Sequence, residues 1–139
     1  MKYLLAPAVA WTIAQAAKVI LTSWKQRRLN LRVLAETGGM PSSHSAIVMA
    51  LTAAVGKYSG LTSPEFAIAL IFSVVVMYDA AGVRRAAGKQ AAVLNRLVED
   101  LTHMRGVQEQ ELRELLGHTP VEVLVGAVLG IGVALLPFL

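Results

Sequence analysis

The amino-acid sequence predicts an all-α integral membrane protein: a helical bundle of about four transmembrane helices with an amphipathic helix on its cytoplasmic side. Three observations lead there. Hydrophobic residues make up 55% of the 139 positions and charged residues 16%, with a mean hydropathy of +0.58, too apolar for a small soluble domain with a surface to wet. The apolar residues gather in four runs, most of them near the ~20 residues that a helix needs to cross the hydrocarbon. The basic residues gather in two loops that four crossings would place on one side.

Each element follows from its local chemistry. The first run, residues 3–24, begins like a signal peptide. It is long, is interrupted by Gln15 and Lys18, and ends in a basic cluster, which makes it a retained span. The second, 44–59, is the weakest, because Ser45, Thr52 and Lys57 would also suit a buried soluble helix; Gly60 can close it. Ser63-Pro64-Glu65 sets a capping hydroxyl, a first-turn proline and an early acid ahead of the third run, 64–81. Thr119-Pro120-Val121-Glu122 does the same for the fourth, 120–138, with the T-x-x-E spacing of a capping box. Between the last two runs lies a polar stretch, 82–119, where Leu94, Leu97, Val98, Leu101 and Met104 recur at helical spacing. This predicts an amphipathic helix on the membrane face or against the bundle, broken at Gly106 before a short helix over 108–116.

The whole chain, 1–139, reads as a single domain. Lys25, Arg27, Arg28 and Arg32 follow the first run, and Arg84, Arg85, Lys89, Arg96, Arg105 and Arg113 stand between the third and fourth. The positive-inside rule makes that side cytoplasmic in a multi-pass inner-membrane protein, with both termini and the 57–65 loop outside. Cysteine is absent, which removes disulfides and thiolate metal sites and leaves the redox compartment open. The net charge of +4 fits this topology, and the sparse aromatics are not interleaved with basic residues, so nucleic acid is not an expected partner.

Three unusual segments then meet at the cytoplasmic face: GGMPSSHSA (38–46), YDAAGVRRAAGKQ (78–90) and LGHTPVE (116–122). Each has two readings. In the first, Ser42 or Ser43 can cap the second helix, and the N–H groups of that helix start can hold a phosphate; the plainer reading is a cap beside an interfacial His44. In the third, Glu122 stands four residues after His118, one turn away, where its carboxylate can orient the imidazole; alternatively it only completes the capping box. In the second, Asp79 lies at the membrane boundary, and Arg84, Arg85 and Lys89 suit phosphate oxygens or anionic lipid headgroups. Within the first run, Gln15 and Lys18 share a face. Lys18 either points into the bundle or snorkels to the interface, and Gln15 would also serve as interhelical glue. Gly126 and Gly130 extend the line of Glu122 as a G-x-x-x-G pair that lets another helix come close.

PSSH followed by G-H-x-x-x-E resembles the P-S-G-H and H-x-x-x-D motifs of the type 2 phosphatidic acid phosphatase and vanadium haloperoxidase superfamily. With AQAAK, YDAAGVRRAAGKQAA and LGHTPVEV in order along nearly the whole chain, the pattern looks like its divergent, short branch. The resemblance implies a helical-bundle phosphomonoesterase that needs no metal or other cofactor. His118 would be the nucleophile that becomes a phosphohistidine, Glu122 its orienting acid and His44 the general acid. Ser43 would stand at a phosphate-binding position beside Ser42, and Lys18 would match the first-motif lysine. The chain departs from the family pattern in having Leu112 where a phosphate-binding arginine is expected, in lacking the Arg-Pro that ends the first motif, and in using glutamate for aspartate at 122. Arg84 and Arg85 can supply the missing charge, with Lys89 as a further phosphate-binding residue and Gln15 and Asp79 as supporting polar groups. The expected substrate is a phosphomonoester of a lipid or isoprenoid, such as phosphatidylglycerophosphate, and the expected partners are the bilayer and that lipid phosphate; self-association is left open. Two rival functions are a scaffold or headgroup-binding module without turnover, and a metal-dependent hydrolase using His44, Asp79, His118 and Glu122.

Overall fold

The computed structural model describes residues 2–27, 39–102 and 118–137. Arg28, Arg32, Met104, Arg105, Gly106, the expected short helix over 108–116 with Leu112 and Arg113, and the end of the fourth run lie outside the described residues. Within them the chain forms α1 (Lys2–Gln26), α2 (Ser43–Ser59), α3 (Pro64–Ala81), α4 (Val83–Thr102) and α5 (Pro120–Ala134), and no strand.

The helices start where the capping chemistry places them. Ser42, Ser63 and Thr119 are the N-caps of α2, α3 and α5, their hydroxyls accepting from the N–H groups of Ser45, Phe66 and Glu122. Thr119 and Glu122 complete the expected capping box. α5 closes at Ala134, short of the expected 138, because Pro137 disfavours helical backbone in the residue before it and Lys57 takes over the helix end. The Lys57 ammonium donates to the carbonyls of Ala134 at 3.3 Å and Leu136 at 2.9 Å, placing a cation on the negative end of the α5 dipole.

α2 is the central helix, packed on α1, α3 and α5, whereas α4 touches only α3 among the described helices. The core is built from small side chains at i, i+4 spacing on two helices, Ala6, Ala10 and Ala14 on α1 and Ala46, Ala50 and Ala54 on α2, joined by Val133 and Ala134 on α5. Without a hydrophobic drive between helices in lipid, such residues gain contact by letting backbones approach. A Cβ on Gly126 would lie 2.3 Å from the Ser42 carbonyl oxygen, and one on Gly130 would lie 2.2 Å from that of Ala46, so the G-x-x-x-G line seats α5 on α2. The polar residues of α2 are also accounted for. Thr52 and Ser73 share a 2.7 Å hydroxyl contact that ties α2 to α3, and the Ser73 hydroxyl also donates to the Val48 carbonyl.

The expected count of four full spans is only partly matched. Two helical runs, Lys2–Gln26 and the one that starts at Pro64, are long and apolar enough to cross a membrane. α2 has 17 residues and α5 has 15, about 25 and 22 Å at 1.5 Å per residue, against a hydrocarbon core of about 30 Å. Capping at one end and Gly60 or Pro137 at the other keep them short. Of the polar stretch over 82–119, Val83–Thr102 is helical as α4, with Val93, Leu94 and Leu97 exposed.

Candidate functional site

Two main-chain hydrogen bonds bring the three unusual segments to one end of the bundle. The Ser42 N–H donates to the Glu122 carbonyl at 3.1 Å, and the His118 N–H donates to the Ala80 carbonyl at 2.9 Å. The first joins the start of α2 to the first turn of α5; the second joins the residue before the α5 cap to the end of α3.

His118 is buried, with 3% of its surface exposed. Its Nδ1 lies 3.3 Å from Glu122 Oε2. An ionised carboxylate can only accept, so in this pair Nδ1 carries the proton, and in the neutral form of the ring the lone pair is then on Nε2. The same Oε2 accepts from the Thr119 N–H at 2.9 Å. Glu122 therefore fills both roles that the sequence allowed, cap and imidazole partner. His44, in the first turn of α2, holds its ring centroid 5.9 Å from that of His118, with the planes at 60°. It also lines a cleft with Val75, Val76, Asp79 and Ala80.

Lys18 is the next rung after Ala6, Ala10 and Ala14, and only 4% of it is exposed, so it points into the bundle and does not snorkel. Its stem runs under Gly39, where φ is +87° and a Cβ would sit 3.0 Å from Lys18 Cε; backbone angle and close approach both call for glycine here. Gln15 has a buried amide oxygen with no hydrogen-bond partner among the described residues. Ser42 is fully buried, its hydroxyl accepting from the N–H and the hydroxyl of Ser45, so it shapes the turn, while Ser43 beside it is 8% exposed.

Asp79 lines the cleft, and the expected cations Arg84, Arg85 and Lys89 belong to α4. Arg84 and Arg85 stand in the first turn of α4, and their side chains lie outside the described structure. Lys89 is exposed and lines a separate groove with Gln90, Val93 and Leu94. Among the described residues no three His, Cys, Asp or Glu side chains gather into a group able to hold a metal ion. Four contributors escaped sequence reasoning. Ser45 looked like one more polar residue in a weak span, the Ala80 carbonyl carries no sequence signal, and Val75 and Val76 looked like ordinary span residues.

A bundle of apolar helices with a histidine–carboxylate pair, a second histidine and a buried lysine at one end defines a class: all-helical membrane proteins with a polar site at the helix ends. The chain belongs to the divergent PAP2 family, whose profile matches residues 1–133. It is 42% identical over 139 residues to the uncharacterized membrane protein YuiD of Bacillus subtilis (strain 168), an alignment that takes in 92% of this chain and 88% of that protein. No solved structure matches the chain.

Proposed function

We propose that this protein is a membrane phosphatase that hydrolyses a phosphomonoester of a lipid or isoprenoid through a phosphohistidine. The observation that carries the proposal is the 3.3 Å His118–Glu122 pair with the His44 ring 5.9 Å away. In the first step His118 Nε2 attacks phosphorus and the bond to the leaving oxygen breaks, while His44 gives that oxygen a proton. In the second, water attacks the phosphohistidine, His44 takes the water's proton, and inorganic phosphate leaves with His118 restored. Glu122 stabilises the positive imidazole ring that forms in between. The transferring group spreads negative charge over its equatorial oxygens. Lys18, Ser43 and the first-turn N–H groups of α2 are the local partners for that charge, and Arg84 and Arg85 at the start of α4 add to it. The basic loops set this end toward the cytoplasm.

Phosphate release by the purified protein from a panel of lipid phosphates tests the proposal. Turnover should survive a chelator, be inhibited by vanadate, and vanish in His118→Ala together with an acid-labile phosphoprotein. Vanadate binding without turnover on any member of the panel would make the protein a headgroup-binding module instead. Activity lost to the chelator and restored by one divalent ion would favour a metal-dependent hydrolase.

A further inference from the structure

We infer that the substrate's hydrocarbon chain lies along the outer face of α3, and that Val75 and Val76 are positioning residues that align it beside His44; this rests on the phosphatase reading above. Three observations point to this wall.

The cleft at His44 is lined on its α3 side by Val75, Val76, Asp79 and Ala80, so an imidazole faces a mostly apolar surface. Val75 continues downward into exposed Ile71, Phe72 and Ile68, which share its helical face by their spacing. This face belongs to one of the two helical runs apolar enough to cross a membrane. An unbroken apolar track thus leads from the span to the histidine.

Among the described residues two other routes are closed. Between α2 and α5 the backbones touch, since a Cβ on Gly126 would already collide with the Ser42 carbonyl. Between α2 and α3 the 2.7 Å Thr52–Ser73 contact bars passage, and Ser73 lies less than one turn below Val76. The opening between α2 and α3 therefore begins above that clamp, at the level of His44. A phosphate headgroup can reach the site there while its chain stays in the bilayer. Lipid tails are as apolar as valine, so the contact with Val75 and Val76 contributes alignment of the ester and little affinity.

The test compares a long-chain lipid phosphate with p-nitrophenyl phosphate, which has no chain to align, on the full-length protein in nanodiscs. Val75→Trp should lower kcat/KM for the lipid phosphate by tenfold or more and leave the aryl phosphate within twofold. Val74→Trp, on the same helix but outside the cleft, should change neither. A lipid phosphate with a diazirine in its chain supplies a readout independent of turnover. It should label residues 68–76, and that labelling should be suppressed by unlabelled lipid phosphate but not by diacylglycerol. Specific labelling of α3 without turnover on any substrate would sink the phosphatase reading and leave the chain seat standing. Equal loss on both substrates in Val75→Trp, no loss on either, or suppressible labelling on α1 or α5 would overturn the inference.

Discussion

Replacing Glu122 by glutamine separates the two duties of one oxygen. The carboxylate Oε2 accepts from the Thr119 N–H at 2.9 Å and meets His118 Nδ1 at 3.3 Å. A glutamine oxygen can keep both contacts, so the capping box survives and only the charge is lost. The structural cost is then the loss of an anion at a helix start, about 0.5 kcal/mol. The cost to turnover is larger. Unit charges about 4 Å apart interact by about 4 kcal/mol at an effective dielectric constant of about 20. With the Glu122 side chain 19% exposed, solvent screening reduces this to about 2–3 kcal/mol, and because about 1.4 kcal/mol is tenfold in rate, phosphate release should fall about 100-fold. Lipid phosphate hydrolysis in mixed micelles measures the first effect and thermal unfolding by circular dichroism the second. Full activity in Glu122→Gln would show that the carboxylate is only a cap. Loss of activity in parallel with loss of folded protein would equally refute the separation.

Gly126→Ala should destabilise the fold by about 1–3 kcal/mol through overpacking, because its Cβ meets the Ser42 backbone, whereas Gly132→Ala, with open space around it, should not; paired unfolding curves decide this. Lys18→Met keeps the stem under Gly39 and removes the ammonium, so vanadate should bind about tenfold more weakly or worse, as read by inhibition titration. Lys57→Met removes the two bonds to the end of α5 and should cost about 1 kcal/mol with turnover unchanged. For topology, cysteines introduced as Arg28→Cys and Arg96→Cys should be shielded from an impermeant thiol reagent in intact cells, and Ser59→Cys should be labelled; the reverse pattern would move the site to the outer face.

Much of the fold is legible because its punctuation is local. Ser63-Pro64 and Thr119-Pro120 mark helix starts by hydroxyl and ring chemistry that needs no tertiary context, and α3 matches the expected 64–81 throughout. The end of α5 was less legible, because Leu135 and Leu136 continue the apolar run and the cation that closes the helix comes from α2. A serine cap at 42 or 43, His118 with Glu122, and the glycine line are all readable from spacing. The choice between a snorkelling and a buried Lys18 was not, since it depends on the alanine rungs of α1 packing inward and on Gly39 arriving from a distant part of the chain. Nor did periodicity separate Val75 and Val76 from their neighbours, because in a helix as apolar as α3 every face looks alike.

The bonds from the Ser42 N–H to the Glu122 carbonyl and from the His118 N–H to the Ala80 carbonyl use no side-chain atom. Proline at position 42 or 118 would delete a donor, but other substitutions leave these two cross-links chemically intact. The frame that holds the histidines is thus decoupled from the groups that line it. A protein engineer can exchange acids, hydroxyls and cations around this end while the register between the three segments stays pinned, so that a changed rate reports on the exchanged group and not on a shifted scaffold.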